Sequence, residues 1–402
     1  MLYRGESIVD MKILVTGYGV ISSIGLNAEE SFSSLKDMRT GIESGKTEET
    51  SAYKLGRVCL SNNELSRKFK LTTKGSRTAL LGMVAAKEAF TGHELIDGLR
   101  TGLISGTSVG GMDVTEVEYK KFIVDKSHDT LEYRHHSSGT STEQIALELG
   151  VSGFVNTIST ACSSATNAIM MGARMIKNGL LDRVVVGGAD SLTLFTINGF
   201  RSLMINDSEW CRPFDESRQG LNLGEGAGFI VLESEKSLQK TKKVAIVELK
   251  GWSNASDAFH QTASSPYGLG AQLSMKGALR VAKLESNDID YINAHGTSTP
   301  NNDLSESQAI INVFGESIPP FSSTKSYTGH TLAASGGIEA VFSILAIKKG
   351  VLYPNLNYKV AIEETGLIPQ LKFEEGKQIK NVLSNSFGFG GNNSTIILGR
   401  ID

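Results

Sequence analysis

The segment Asn156–Lys177, NTISTACSSATNAIMMGARMIK, contains the most informative turn of the chain. The apolar and β-branched residues Gly153–Ile158 predict the end of a strand, and the small residues Thr160–Ala165 follow directly. Beyond them, apolar residues recur at intervals of three and four and predict a helix. Asn178-Gly179 is a typical C-terminal helix signal. The pattern therefore predicts a strand, a tight turn and a helix.

Cys162 lies at or just before the N-terminus of this predicted helix. Unpaired backbone N–H groups and the helix dipole favour an anion there, so this placement is expected to lower the thiol pKa. Small neighbours leave room for another backbone or a thioester to approach the sulfur. The same pattern also suits a buried structural cysteine, and this segment alone leaves both interpretations open.

Composition sets broad limits on the function of the chain. A length of 402 residues suffices for one large domain or two medium ones. A net charge of −3 and 21% charged residues give no indication of nucleic acid or of an anionic membrane as a partner. With 43 glycines and only 7 prolines, the chain is expected to be ordered and rich in tight turns.

The cysteines and the N-terminus indicate where the protein works. Cys59, Cys162 and Cys211 are far apart and show no metal-binding spacing, which favours free thiols and a cytoplasmic location. No segment approaches the roughly 18 uncharged apolar residues of a membrane span. Residues 1–10 are charged, do not resemble a signal peptide, and are interpreted as an extension before a first strand that starts near Met11.

Strands that alternate with helices predict an α/β architecture. Lys12–Gly17 is predicted as a strand followed by a loop to Gly25, and a helix is predicted from Asn27 with Glu30 in capping-box register. The charged segment Glu116–Ser138 is predicted as a surface excursion. The other predicted strands are Leu99–Gly106, Arg183–Gly188, Gly228–Glu233, Val244–Lys250, Ile289–Asn293, Asn381–Ser386 and Ser394–Leu398, and further helices are predicted over Ser76–Phe90, up to Lys283 and over Gly337–Lys348.

The chain contains a faint internal repeat. A shift of 171 residues places the helix that follows Cys162 on the helix that ends at Lys348-Lys349-Gly350. Both helices begin in small residues after a strand and a loop, which indicates a duplicated core with one reactive loop in each half. We place the two halves at residues 11–250 and 251–402.

Three loops share one design, in which a strand end and small residues carry one reactive side chain: Cys162, His295 or His330. A fourth loop, Phe387–Gly391, offers backbone N–H groups flanked by glycine. Two neutral imidazoles can each donate an N–H to one carbonyl oxygen and stabilise an enolate, while a thiol holds an acyl group. The remaining histidines are interpreted as structural: His93, His128, His135, His136 and His260.

At these residues the chain resembles the β-ketoacyl-acyl carrier protein synthases, which are thiolase-like condensing enzymes. The matching strings lie in the order and approximate spacing of the family from Met11 to Arg400: T-A-C-S-S-A around Cys162, L-G-E-G-A-G from Leu223, N-A-H-G-T-S-T-P-x-x-D from Asn293, S-T-K-S-x-T-G-H from Ser323, and N-S-F-G-F-G-G from Asn385. The Cys-His-His set resembles chain-elongating synthases, and neither Cys59 nor Cys211 has a thiolase-like context.

The resemblance implies a fold of two similar halves stacked as α-β-α-β-α layers, in a homodimer or a ketosynthase heterodimer. It implies that Cys162 takes an acyl chain from the phosphopantetheine arm of an acyl carrier protein. Malonyl-carrier protein then loses CO₂, and its enolate attacks the Cys162 thioester. No further cofactor is implied, because the substrates arrive on the carrier protein.

The resemblance also implies individual roles. His295 and His330 are expected to hold the malonyl thioester oxygen, and the N–H groups of Cys162 and Phe389 to form an oxyanion hole. The other implied roles are the gate for Phe389, the decarboxylation pocket for Phe387, pantetheine contacts for Thr297 and Thr299, a supporting ion pair for Lys325 and Glu339, and a monovalent cation near Asn293, Glu339, Ser384 and Asn385.

A basic run, Arg67, Lys68 and Lys70, is a candidate docking site for an acidic carrier protein, although a solvated charged face explains it equally well. Several residues depart from common fatty-acid synthases: Asn302 and Asn392 replace Gly and Thr, Tyr327 replaces a more usual Met, and Ser191–Arg212 is short. The segment Arg212–Ala227 looks more like synthases of aryl-polyene or flexirubin pigment clusters. These departures leave the acyl chain and the pathway open.

Two other functions remain as alternatives. A catalytically silent chain-length factor would normally lack the nucleophile, which Cys162 and both histidines argue against. A cysteine hydrolase would need one catalytic histidine and would leave His330 and Lys325 without a role.

Overall fold

The computed structural model describes residues 11–126 and 129–401. The predicted N-terminal extension, residues 1–10, and His128 lie outside these ranges. The strands are β1 (Ile13–Ser22), β2 (Ile42–Ser44), β3 (Lys54–Gly56), β4 (Thr101–Gly106), β5 (Val155–Ile158), β6 (Arg183–Asp190), β7 (Leu223–Gly224), β8 (Gly226–Ser234), β9 (Val247–Ser256), β10 (Tyr291–Asn293), β11 (Phe321–Ser322), β12 (Asn381–Gly388) and β13 (Asn392–Gly399).

The α-helices are α1 (Ala28–Lys36), α2 (Asn62–Lys68), α3 (Arg77–Ala89), α4 (Met112–Asp125), α5 (Ser138–Leu149), α6 (Ser164–Lys177), α7 (Leu194–Ser202), α8 (Glu235–Thr241), α9 (Leu269–Ala282), α10 (Pro300–Phe314), α11 (Lys325–Thr328) and α12 (Ser335–Lys349). Short 3₁₀ helices span Glu132–His136, Ser286–Asp288 and Leu332–Ala334. Within the two described ranges, no helix combines the length and the apolar composition needed to cross a membrane.

Ten strands form one sheet in the order β11-β10-β12-β13-β9-β1-β8-β6-β4-β5. The sheet consists of two five-stranded halves with the same connectivity, joined where β1 pairs with β9. In each half three parallel strands (β5, β4, β6 or β11, β10, β12) are followed by two antiparallel ones (β8, β1 or β13, β9). This repetition agrees with the duplicated core predicted from the sequence.

The helices complete a layered arrangement. α6 and α12 contact each other and strands of both halves, so they form the middle layer. α3 packs on β1, β8 and β6, and α9 packs on β9 and β13, which places these two helices on the outside. Residues Ser335–Ile347 of α12 are all buried, as expected for a helix between two sheets. The predicted α-β-α-β-α fold is confirmed.

The unit around Cys162 forms as predicted, with β5 leading into α6. The 171-residue shift carries Ser164, the first residue of α6, onto Ser335, the first residue of α12. The predicted capping of α1 is also present, since the Asn27 side chain accepts a hydrogen bond from the Glu30 N–H. The boundary between the halves stays a prediction; the position after Lys250 falls inside β9, and we propose that the second half begins with that strand.

One predicted element is wrong. The first strand does not stop at Gly17 but continues to Ser22, because β8 pairs with its backbone as far as Ser22 and Gly226, with one irregularity between Val15 and Gly17. Pairing with a distant strand, which the local pattern does not show, accounts for the greater length of β1. The segment Glu116–Ser138 lies largely at the surface, as predicted, with Val117, Ile123 and Val124 more than half exposed, and most of it forms α4 and a 3₁₀ helix.

The middle layer depends on close backbone contact at Gly228 of β8. A Cβ atom on Gly228 would lie 2.3 Å from the Gly337 carbonyl carbon and 2.3 Å from the Ile338 nitrogen in α12. Neither neighbour is a flexible side chain that could move aside. Gly228 therefore sets the distance between β8 and α12.

We predict that Gly228→Ala lowers the free energy of unfolding by about 1–3 kcal/mol or more, because overpacking displaces two central backbones. The matched control is Gly199→Ala in α7, where an added Cβ meets nothing within 4 Å. The control is expected to stabilise the protein by about 0.5–1 kcal/mol, since alanine is favoured over glycine inside a helix. Urea unfolding at one fixed protein concentration measures the free energy of unfolding of both variants. Equal changes in the two variants would contradict the prediction.

Candidate active site

Cys162, His295 and His330 line a single cavity of about 360 Å³. Cys162 lies between β5 and α6, His295 follows β10, and His330 lies between α11 and the 3₁₀ helix that precedes α12. The cavity thus forms beyond the carboxyl ends of parallel strands, where α/β folds usually place their sites. Phe387 and Phe389, from the end of β12, line the same cavity. The structure therefore brings together three loops far apart in the sequence.

Cys162 is held in a tight turn immediately before α6. Ala161 has a positive φ of 53°, and the Ser164 hydroxyl donates to the Ala161 carbonyl at 2.5 Å and accepts from the Thr160 N–H at 2.9 Å. Only 5% of Cys162 is exposed. Burial raises its pKa to about 12, although the charge of Lys325 opposes this shift. The expectation of a lowered thiol pKa is therefore wrong, because loss of hydration outweighs the favourable groups around the sulfur.

Two backbone N–H groups point to the Cys162 sulfur, those of Phe389 and of Cys162 itself, and both favour its anionic form. The close approach depends on Gly388, where a Cβ would lie 3.2 Å from the Cys162 nitrogen and 3.0 Å from the Thr160 oxygen. Paired N–H groups at a sulfur can also hold the oxyanion of a thioester attached to it. The geometry fits the predicted oxyanion hole.

Nδ1 of the His295 ring contacts Lys325 behind the cavity. The Lys325 ammonium lies 3.3 Å from His295 Nδ1 and donates to the His295 carbonyl at 2.7 Å. Since an ammonium only donates, Nδ1 must be the acceptor, and the neutral ring carries its proton on Nε2. Burial, together with the charge of Lys325, holds the pKa of His295 well below its usual value.

His330 is fixed in the same tautomer by different partners. Its Nδ1 accepts from the Leu332 N–H at 3.1 Å and lies 3.1 Å from the Ser335 hydroxyl. The Leu332 N–H can only donate, so the proton of the neutral ring is again on Nε2. Burial and then Lys325 keep the pKa of His330 well below its usual value. The ring centroids of His295 and His330 are 5.4 Å apart, and the angle between the ring planes is 86°. Two neutral N–H donors therefore share one cavity.

Lys325 and Glu339 form a direct ion pair behind the histidines. Their side chains are 2% and 3% exposed. The pairing predicted for these residues from the resemblance is thus present in the structure. A buried ammonium is tolerated only when it is paired and hydrogen-bonded, which Glu339 and the two His295 acceptors provide.

Two buried carboxylates that hold the loops were missed by the sequence analysis. Glu306 of α10 accepts from the N–H groups of His295 at 2.9 Å and Gly296 at 2.8 Å, and burial raises its pKa to about 7. Asp190 accepts from the Ala333 N–H at 2.9 Å and from the Thr107 hydroxyl at 2.6 Å. Glu306 lies one helical turn after Asp303 of the matching string, and that spacing was its only sequence signal.

The predicted substrate contacts line the cavity on the side of α10. Thr297 and Thr299 both face it, with their hydroxyls 2.9 Å apart. The Phe387 ring lies 5.7 Å from His295, and the Phe389 ring stacks on Phe200 at 5.7 Å. This leaves Phe389 at the cavity wall, next to the sulfur.

Other predicted residues lie outside the cavity. Arg67 and Lys68 on α2 and Lys70 just after it are exposed, so docking through them stays a prediction. Four of the histidines interpreted as structural do not line the cavity either: His93, His135, His136 and His260. His93 is buried beside Thr16 at 3.0 Å.

Two of the four residues implied for a cation site have side-chain oxygens that could contact an ion. Among the described residues, Asn293 Oδ1 and Glu339 Oε2 are buried without a hydrogen-bond partner, as expected for oxygens near a cation. Asn385 is already engaged, because its amide donates to Glu306 at 3.0 Å and accepts from Thr395 at 2.9 Å. Within the described ranges, no three His, Cys, Asp or Glu side chains are grouped to hold a metal ion. The monovalent cation near these residues stays a prediction.

Comparison with known proteins gives a consistent result over nearly the full chain. The family models described as beta-ketoacyl synthase, N-terminal domain and C-terminal domain match residues 10–237 and 246–359. The 3-oxoacyl-[acyl-carrier-protein] synthase 2 of Staphylococcus aureus (strain MRSA252) is 33% identical over 411 residues, covering 98% of this chain and 99% of that protein.

Solved structures agree with these sequence matches. The ishigamide ketosynthase/chain length factor superposes with a TM-score of 0.91 at 28% identity, covering 98% of this chain and 100% of that one. The ketosynthase of AntDE:AntF, a type II polyketide synthase acyl-carrier protein in complex with its ketosynthase, gives 0.87 at 26% identity and covers 97% and 100%.

We predict that Glu339→Ala lowers the free energy of unfolding by about 3–5 kcal/mol, because it leaves the Lys325 ammonium buried and unpaired. The control is Glu375→Gln, which removes the exposed ion pair with Lys36 (3.1 Å) and is expected to cost less than about 1 kcal/mol. Denaturant unfolding compares the two. Similar losses would show that the buried pair has no special importance for stability.

Proposed function

The chain belongs to the β-ketoacyl synthase family, and we propose that it is a working elongating synthase that makes 3-oxoacyl-acyl carrier protein from an acyl group on Cys162 and malonyl-acyl carrier protein. The observation that carries this proposal is one cavity holding a thiol, two neutral imidazole N–H donors and a pair of backbone N–H groups at the sulfur. The enzyme is an acyltransferase whose net reaction releases CO₂.

The first stage is thioester exchange. The Cys162 sulfur attacks the carbonyl carbon of an acyl-phosphopantetheine thioester, and the oxygen becomes an oxyanion held by the N–H groups of Cys162 and Phe389. The bond to the pantetheine sulfur then breaks, and the thiol proton ends on that sulfur. The charge of Lys325 favours the Cys162 anion against the burial that raises its pKa, so it assists this step.

The second stage is decarboxylation of the malonyl thioester. CO₂ leaves, and the electron pair of the broken bond forms an enolate whose oxygen accepts from the Nε2–H groups of His295 and His330. Both imidazoles have Nδ1 already occupied by a donor, so neither needs to reorganise as the charge develops. Neutral donors are suited to this task because they hold the enolate without protonating it.

The third stage forms the carbon–carbon bond. The enolate carbon attacks the acyl carbonyl on Cys162, the same N–H pair holds the resulting oxyanion, and the bond to Cys162 breaks. The 3-oxoacyl chain leaves on the carrier protein, and the Cys162 thiolate takes a proton from solvent. Thr297 and Thr299 line the same cavity, which supports a role for them in contacting the pantetheine arm.

The alternatives fit the site less well. A silent chain-length factor does not require a nucleophile or two histidines held in one tautomer. A hydrolase needs a general base near the thioester, whereas both imidazoles here present a proton to the cavity and have no free acceptor nitrogen. Condensation uses the thiol, both imidazoles and the two backbone N–H groups at the sulfur.

The partners follow from the substrates. We propose an acyl carrier protein as the substrate carrier, with Arg67, Lys68 and Lys70 as a docking surface, and a dimer formed either with a second copy or with a chain-length factor. No further cofactor is needed, and a monovalent ion near Asn293 and Glu339 would act only on structure. A nucleophilic thiol that must stay reduced fits a cytoplasmic location. The pathway is fatty-acid or aryl-polyene and related polyketide synthesis.

Acylation of Cys162 tests the proposal directly. Incubation with an acyl-acyl carrier protein is expected to give a stable adduct of one acyl mass per chain by intact-mass spectrometry. The adduct should be absent from Cys162→Ala and present in Cys59→Ala, because Cys59 is an exposed free thiol outside the cavity. A protein that never forms the adduct is a silent partner, and one that releases free acid without malonyl-carrier protein is a hydrolase.

His330→Ala should separate the two half-reactions. We predict that malonyl decarboxylation falls by about 100-fold, because one of two enolate donors is lost, while acylation of Cys162 falls by less than about fivefold. Rates of CO₂ release and of adduct formation measure this split. Equal losses in both would mean that His330 is only structural.

The low pKa values of His295 and His330 predict that the rate of malonyl decarboxylation depends little on pH. Both rings are neutral at pH 8 and remain neutral at pH 6. Glu306, which holds the His295 loop, has a pKa of about 7 and is removed from the titration by Glu306→Gln. CO₂ release by the double variant Cys162→Ala/Glu306→Gln, which cannot proceed to condensation, should vary by less than about twofold over this range. A histidine with the usual pKa of about 6.5 would be only about one quarter neutral at pH 6. A fourfold loss of rate centred near pH 6.5 would contradict the assignment.

A further inference from the structure

Asn392 stands where common fatty-acid synthases carry Thr, and the structure gives this residue a specific position. It is the first residue of β13 and follows the turn Phe389–Gly391, in which Gly390 and Gly391 have φ values of 81° and 72°. Across the hairpin its backbone pairs with Gly388, the residue that touches the Cys162 turn. Asn392 therefore lies where the Phe389 turn meets the rest of the sheet.

The side-chain oxygen of Asn392 is a point where three donors meet. Oδ1 accepts from the Ser163 hydroxyl at 2.7 Å, from Asn167 Nδ2 at 2.9 Å and from Asn254 Nδ2 at 2.7 Å. These donors come from the nucleophile turn, from α6 and from β9. An amide oxygen only accepts, whereas a Thr hydroxyl carries a proton that would face this set of donors. Asn is thus matched to its neighbours in a way that Thr is not.

The orientation of the amides follows from the surrounding bonds. Asn167 Oδ1 accepts from the Ser394 hydroxyl at 2.7 Å, so its NH₂ group faces Asn392 and Thr160, to whose Oγ1 it donates at 2.8 Å. The Ser163 hydroxyl lies 2.7 Å from both the Thr160 carbonyl and Asn392 Oδ1, so its one proton is shared between them. The network ties the Phe389 turn to both ends of the Cys162 turn.

We propose that Asn392 is a positioning residue that holds the Phe389 N–H at the Cys162 sulfur through its bond to Ser163. The turn between them contains two glycines. Its other attachments are the Gly390 N–H bond to the Gln261 carbonyl at 2.7 Å, the Gly391 carbonyl, which accepts from the Asp257 N–H and from Asn393 Nδ2 at 2.9 Å each, and the stack of Phe389 on Phe200. None of these bonds joins the turn to Ser163, so among the described residues the Asn392 side chain alone provides that link. Without Asn392, the N–H of Phe389 loses its fixed distance from the oxyanion. The inference rests on the proposed function and assigns a residue to its acyl-transfer step.

The two half-reactions separate this role from a general effect on folding. In Asn392→Ala, acylation of Cys162 by acyl-carrier protein is expected to slow at least about tenfold, because an oxyanion donor is displaced. Decarboxylation of malonyl-carrier protein, which uses the His295 and His330 donors, should stay within about twofold. Asn392→Thr should lie between wild type and Asn392→Ala, and Asn254→Ala, which keeps the Ser163 bond, should change acylation less than about threefold.

A double-mutant cycle with Ser163→Ala tests the bond itself. If Asn392 acts through Ser163, the double variant acylates no more slowly than the slower single variant. Additive losses, wild-type acylation in Asn392→Ala, or equal losses in both half-reactions would each overturn the inference. If Asn392→Ala does not fold, the acylation rates of wild type, Asn392→Thr and Asn254→Ala are compared instead. Asn392→Thr is then expected to be slower than wild type, and Asn254→Ala to stay within about threefold of it. Wild-type protein that forms no acyl adduct would instead disprove the proposed function, and the inference with it.

Discussion

The chemistry of the site depends on one buried cation, the ammonium group of Lys325. It pairs with Glu339 and donates to the carbonyl and to Nδ1 of His295, all of them buried. These contacts fix the tautomer of His295. Burial, together with this charge, lowers the pKa of His295 and His330, while the charge favours the anion of Cys162. The buried cation therefore helps to keep two donors neutral and assists the nucleophile. An ammonium at the surface would do none of this, because water would screen it.

The surrounding fold supplies buried carboxylates that hold each loop in place. Glu339 comes from the central helix α12, Glu306 from α10 and Asp190 from the end of β6. Each accepts hydrogen bonds from groups that would otherwise be unpaired in the interior, such as the N–H groups of His295, Gly296 and Ala333. Several hydrogen bonds offset the desolvation of Glu306 and Asp190, and the ion pair with Lys325 offsets that of Glu339. These contacts hold loops that lack regular secondary structure.

Local patterns were sufficient for much of the fold and for the reactive side chains. The strand, turn and helix around Cys162 are visible because small residues and helical spacing are properties of adjacent positions. The full length of β1 is not visible in the local pattern, because it depends on pairing with β8. The raised pKa of Cys162 is not visible either, because it depends on burial in the folded protein. Seven helices of the described ranges were not predicted: α2, α4, α5, α7, α8, α10 and α11. The bond from Ser163 to Asn392 joins residues 229 positions apart, and no local spacing indicates it.

The duplication explains why groups so distant in the chain meet in one cavity. In the first half, the loops after β4 and β5 carry Thr107 and Cys162, and β6 ends at Asp190. In the second half, the loops after β10, β11 and β12 carry His295, His330 and Phe389. The Asp190 carboxylate accepts hydrogen bonds from Thr107, Ser108 and Val109 and from Ala333 beside His330. The first half therefore provides the nucleophile and the contacts that support the loops around it. The second half provides His295 and His330, the donors that hold the enolate in the proposed mechanism. Because each half carries only part of the chemistry, the β1–β9 pairing and the contact between α6 and α12 that unite them are as necessary to the reaction as the side chains themselves.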